Sequence, residues 1–212
     1  MKTQIRSLPA LVCAATASLL LIISSPAQAG YIVTLEQIGS NVVATGTGAL
    51  DLTGLTLFLS GAGAAPEMHP SSLPSIQTGP TPSAIISAYR GPISGPTSFG
   101  TGSNTFASSG TGDMVGITVG TFGPGTGFLI VPDAYVSGNP LSDTSTYNNA
   151  TFAILGVTPG IYEWTWGTGA NQNFTLDAVA PAVPDSGSTF GLLLVALGGL
   201  FGVSHFRRVH VA

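Results

Sequence analysis

Two mostly apolar runs lie near the ends of this chain, and between them apolar and polar residues tend to alternate. Leu8 to Ile23 and Phe190 to Phe206 are the two runs. The interior shows little of the 3.6-residue period of a packed helix. Its clearest pattern is Ile161 to Trp166, where Tyr162, Trp164 and Trp166 fall on one face and Ile161, Glu163 and Thr165 on the other. Similar patterning predicts strands at Tyr31–Ile38 and Asn41–Thr47, joined by Gly39-Ser40 as a hairpin. Further strands are expected at Leu50–Leu59, Ile85–Tyr89, Ser98–Phe106, Met114–Thr121, Phe128–Val131, Thr151–Leu155 and Asn173–Ala178. Residues 61–82, rich in Gly, Pro and Ala, read as a long loop. About ten short strands with glycine punctuation predict an all-β fold, a single β-sandwich-like domain over residues 30–178.

The first apolar run belongs to a secretory signal peptide over residues 1–29. Lys2 and Arg6 supply the positive start. Ser24-Ser25-Pro26 breaks the helix, and Ala27 and Ala29 place small side chains where signal peptidase has shallow pockets. Cleavage after Ala29 would leave Gly30 first. The plainer alternative is a retained membrane anchor, which Pro26 and the Ala-Gln-Ala site disfavour. Cys13 is the chain's one cysteine and lies within this run. Val12 before it fits a lipobox poorly, so Cys13 reads as a small hydrophobe. A body without it has no disulfide and holds together by packing and backbone hydrogen bonds.

The second run has a different surround. Residues 179–189 read as a stiff Pro-containing linker followed by a short polar motif, Val183-Pro184-Asp185-Ser186-Gly187. Pro184 disfavours helix at Val183, and Gly187 loosens the backbone, so the segment suits an extended peptide presented to a protease. Residues 190–206 form a predicted transmembrane helix. Seventeen residues at about 1.5 Å rise give roughly 25 Å, near the short limit for a bilayer core. Arg207 and Arg208 then act as a membrane stop in a basic tail, 207–212, that favours a cytoplasmic C-terminus. The body would sit across the membrane, as the signal peptide requires. A plain C-terminal anchor is the alternative. Gly198 and Gly202 also form a GxxxG pair, a weak mark of helix pairing.

The tripartite tail resembles the PEP-CTERM class of sorting signals, in the variant beginning Val-Pro-Asp-Ser-Gly. The Pro-Glu-Pro of the commoner form is absent. The resemblance implies an exosortase as processing partner, a Gram-negative-type envelope and, often, an exopolysaccharide-producing host. Expected partners are thus the Sec translocon, signal peptidase, exosortase and the membrane. The localisation implied is an inner-membrane-anchored precursor, then the cell envelope, surface or extracellular space. Residues 131–167 also resemble bodies that precede such tails, which implies no activity.

Charge narrows the function of the body. The chain has five Lys and Arg against nine Asp and Glu. Four of the five cations lie outside residues 30–182, which leaves Arg90 against eight carboxylates, about −7. Nucleic-acid binding is not expected from a body with one cation. Catalytic groups are few. His69 lies in Pro66-Glu67-Met68-His69-Pro70 with no Gly-x-Ser-x-Gly elbow and no second His or Cys to share a zinc ion. No cofactor and no enzyme activity is expected. A hydrolase using a carboxylate pair from Glu36, Glu67 and Glu163 is the least favoured alternative. Calcium is a minor one, from oxygens of Asp133, Asn139, Asp143, Asn148 and Asn149. Tyr162, Trp164 and Trp166 fill a core or form a carbohydrate-stacking platform. Two acceptor sequons, at Asn149 and Asn173, are discounted for a bacterial-type protein. The leading expectation is a structural or interaction protein of the envelope or matrix.

Overall fold

The computed structural model describes residues 30–120 and 126–181. The chain separates into two units, Met1–Val179 and Ala180–Ala212. The first holds all the elements described here. The signal-cleavage residues Ala27 and Ala29, the motif Val183–Gly187, the apolar run 190–206 and Arg207-Arg208 lie outside the described residues. Among the described residues no helix is long and apolar enough to cross a membrane.

The described chain is all-β, in a sandwich-like pair of sheets. In chain order the strands begin with β1 (Tyr31–Ile38), β2 (Asn41–Ala49), β3 (Thr56–Ala64), β4 (Glu67–His69), β5 (Ser75–Thr78) and β6 (Ala84–Gly91). They continue with β7 (Thr105–Phe106), β8 (Ser109–Gly112), β9 (Val115–Val119), β10 (Gly127–Pro132) and β11 (Pro140–Tyr147). A helical turn, α1 (Phe152–Leu155), precedes β12 (Gly160–Thr165) and β13 (Asn173–Ala178). The first sheet runs β12-β13-β1-β2-β11-β8 and the second β3-β6-β10-β9-β5-β4-β7. All pairings between these strands are antiparallel except β1 with β13. The chain therefore returns at its far end to lie beside its first strand. Tyr31 stands opposite both Phe174 and Gly48.

Alternation explains the layers. Tyr31, Val33 and Leu35 of β1 and Val42 and Ala44 of β2 point inward and are buried. Met68, Ile76, Ile117, Leu129 and Val131 meet them from the second sheet in one continuous cluster. Each buried Val, Leu, Ile or Met among them contributes about 1.5–3 kcal/mol. The outward face of the first sheet is polar but nearly uncharged at its centre. Thr34, Thr45, Thr144 and Thr111 stand in one rank across β1, β2, β11 and β8. Thr111 and Thr144 share a 3.0 Å hydroxyl hydrogen bond. The second sheet is apolar on part of both faces. Ile86, Ala88 and Ile130 form a second buried cluster with Met114, against which Leu59 and Phe128 pack.

Four of the expected elements differ in the structure. Residues 61–82 are not a long loop: they hold the end of β3 and all of β4 and β5, with Met68 and Ile76 fully buried. The third strand begins at Thr56, because Leu52–Leu55 form a turn closed by Leu55 N donating to Leu52 O at 3.0 Å. It continues through Ser-Gly-Ala-Gly-Ala as an edge strand with two register shifts against β6, a place where small residues are tolerated. Thr151–Leu155 is a helical turn instead of a strand. The Thr151 side chain caps Ile154 N, and Gly156 closes the turn at φ 65° and ψ 29°. Of Ser98–Phe106, only Thr105–Phe106 pairs as a strand.

Candidate functional site

The aromatic row was the sharpest candidate on the body, and the structure places it in the core. Trp164 and Trp166 are 1% and 5% exposed. Trp164 meets Phe99 edge-on at 6.4 Å and Phe174 at 6.2 Å between ring centroids. Each indole N–H is satisfied inside: Trp164 Nε1 donates to Pro96 O at 2.9 Å and Trp166 Nε1 to Asp51 O at 2.7 Å. Tyr162 is half-buried against Phe99, with its hydroxyl donating to Thr158 O at 2.9 Å. Of the two readings of these rings, core packing holds for Trp164 and Trp166, and neither indole is exposed to stack on a sugar.

The carboxylate candidates are not brought together. Glu163 stands opposite Thr175, Thr175 is level with Ile32, and Glu36 lies four residues further along β1. Two strand steps and four residues separate Glu36 and Glu163 by about 16 Å. Glycosidase carboxylates work at roughly 5–9.5 Å. Glu67 belongs to the other sheet. Its Oε1 accepts from Gln77 Nε2 at 3.1 Å and its Oε2 from Asn104 Nδ2 at 2.9 Å. His69 is on β4, with Nδ1 3.2 Å from Leu73 O and Nε2 3.3 Å from Ser71 Oγ.

The residues named for calcium make separate local contacts. Asp133 accepts from Ser87 Oγ at 2.8 Å and Gly61 N at 3.2 Å. The Asn139 carbonyl accepts from Tyr135 Oη at 2.7 Å. Asn148 N donates to Ser108 Oγ at 3.1 Å and Asn149 N to Asn41 Oδ1 at 3.0 Å. Among the described residues no three His, Cys, Asp or Glu side chains gather to ligate a metal.

Asp143, the remaining calcium candidate, lies within a strand. It points inward from β11, is 4% exposed, and accepts a very short hydrogen bond from Tyr31 Oη. Its other oxygen, Oδ1, is buried without a partner. Gly46 of β2 leaves the space, since a Cβ there would lie 2.2 Å from Tyr31 Oη and 2.7 Å from Asp143 Oδ1. Burial pushes the Asp143 carboxyl up to about 6, opposed by hydrogen bonds from Tyr31 and Thr78 and reinforced by the nearby Asp113 carboxylate. Burial, then the Asp143 charge, raises the Tyr31 phenol well above its ordinary value. Two positions along β11, Ser145 Oγ accepts from Gly79 N at 2.9 Å and donates to Gly79 O at 3.3 Å, which ties the two sheets together beside the cluster. The sequence signal for this cluster was weak. Inward positions of β11 read Leu141, Asp143, Ser145, Tyr147, so half the buried face is polar.

Among the described residues the body offers a polar interior cluster, and the carboxylate and metal candidates named from the sequence are not brought together. The tail is where comparison decides. Residues 182–205 match the family profile of the VPDSG-CTERM motif. This tail is a VPDSG-CTERM sorting signal, a PEP-CTERM-like variant. The VPDSG-CTERM match takes in Val183 to Gly187 and most of the apolar run, and stops short of Arg207. It marks an exported, membrane-anchored and then surface-associated protein with an exosortase-type processing partner. Searches of curated proteins and of solved structures each found no match.

Proposed function

We propose that this VPDSG-CTERM protein is a non-catalytic structural or interaction component of the cell envelope or extracellular matrix. The Sec machinery exports it, signal peptidase cuts after Ala29, and the apolar run 190–206 holds the precursor in the inner membrane. An exosortase then acts within Val183–Gly187. The single observation that supports the route is the VPDSG-CTERM match over residues 182–205. A passive role for the body is supported by where its chemistry lies. Its two tryptophans are spent on the core, its candidate carboxylates stand apart, and a rank of threonines crosses the outer face of the first sheet.

The test replaces Pro184 and Asp185 by alanine in the native host, followed by fractionation. The double variant is expected to accumulate in the inner membrane at its unprocessed mass, while the parent leaves it. Equal processing of both would overturn the proposed route.

A further inference from the structure

With Trp164 and Trp166 buried, the exposed aromatic of greatest interest on the body is Phe106, 61% exposed on β7. It stands directly opposite Glu67 on β4, so both side chains leave the same face of the second sheet. The Glu67 carboxylate is fixed on both oxygens, by the Gln77 and Asn104 amides. Gln77 is itself 9% exposed, and Asn104 precedes Phe106 by two residues. Phe106 also forms one wall of a cleft of about 430 Å³. Pro66 and Pro82 line that cleft with it, and Thr81 and Ser108 add hydroxyls. The ring is therefore shared between an apolar-walled cleft and a pre-oriented carboxylate–amide group.

We propose that Phe106, the cleft beside it and the Glu67–Asn104–Gln77 group form a binding site for a neutral saccharide chain. The chemistry matches on each side. A sugar ring has a face of C–H groups, which packs on the electron-rich face of an aromatic. Its hydroxyls need planar acceptors and donors held at fixed angles, and carboxylates and amides bound to one another provide them at little ordering cost. A carboxylate held at two oxygens retains lone pairs for further hydroxyl donors. The ligand is neutral because Glu67 and a body near −7 repel uronates. Phe58, also exposed at 52%, stands on β3, at the opposite edge of the second sheet from β7. It packs on Phe128 at 5.0 Å, in a cleft with Leu57, Pro92 and Arg90.

This inference goes beyond the delivery route, and its test is independent of processing. The full chain, in a zwitterionic detergent without sugar groups, is titrated with neutral gluco-, galacto- and manno-hexasaccharides. A uronate hexasaccharide serves as control, and saturation-transfer NMR reads binding. The parent is expected to bind at least one neutral probe. Phe106→Ala is expected to weaken that probe about tenfold, the scale of one lost stacking contact. Glu67→Gln is expected to weaken it about threefold, and Phe58→Ala to leave it unchanged. Phe106 is exposed, so its variant should unfold at the parent's midpoint, which separates lost binding from lost structure. No transfer to any neutral probe, binding indifferent to Phe106→Ala, or tighter binding of the uronate would overturn the proposal.

Discussion

At the scale of single residues, Asp143 is where burial and charge conflict most. Its folded-state carboxyl is raised to about 6 from 3.8. A raised carboxyl binds its proton more tightly in the folded chain. The stability it contributes is therefore full below about pH 4 and is lost as pH rises through about 6. The linked change has an upper scale of about 3 kcal/mol. Asp51, whose carboxyl is lowered by hydrogen bonds from Thr53, works in the opposite direction, so the test is a difference. Urea unfolding of the parent and Asp143→Asn at pH 4.5 and pH 7.5 should show that the substitution removes a loss of stability between the two values. Equal pH dependence in both chains would refute the assignment. Trp164 gives a second residue-scale test. Trp164→Ala removes a fully buried ring and the bond to Pro96, and should cost about 3–5 kcal/mol in the unfolding free energy. A cost under 1 kcal/mol would mean that the ring is not core.

At the scale of elements, several strands visible in the sequence have inward positions that are all apolar. β1, β10 and β13 fit that pattern, and β12 does through its aromatics. β11 violates it with Asp143 and Ser145, and β8 is nearly all glycine and hydroxyl, so neither showed a period. β4 and β5 were hidden because each is short and lies among prolines that mark turns, Pro66, Pro70, Pro74 and Pro80. α1 was hidden because four apolar residues are too few to show any period. The Phe106 cleft was invisible for a further reason: Glu67 and Phe106 are 39 positions apart and meet only through the β4–β7 pairing. Gly46 tests the central pairing of β2. Gly46→Ala drives a methyl into Tyr31 and Asp143 and should lower stability by about 1–3 kcal/mol by thermal or urea unfolding. An unchanged midpoint would mean that the cluster is looser than the packing shows.

At the scale of the whole molecule, the tail was more legible than the body, for a physical reason. A membrane-directed segment declares itself by local composition, since a run of apolar residues, a helix-disfavouring motif and a closing charge pair need no tertiary partner. A site on a sandwich is assembled from distant strands and has no local signature. The central claim is that the chain is a delivered and trimmed surface protein, with the body as cargo. Intact-mass spectrometry of the protein isolated from its host's envelope and medium addresses it most directly. The account predicts a species that starts at Gly30 and ends within Val183–Gly187. A mature species that still carries Arg207 and Arg208 would contradict it.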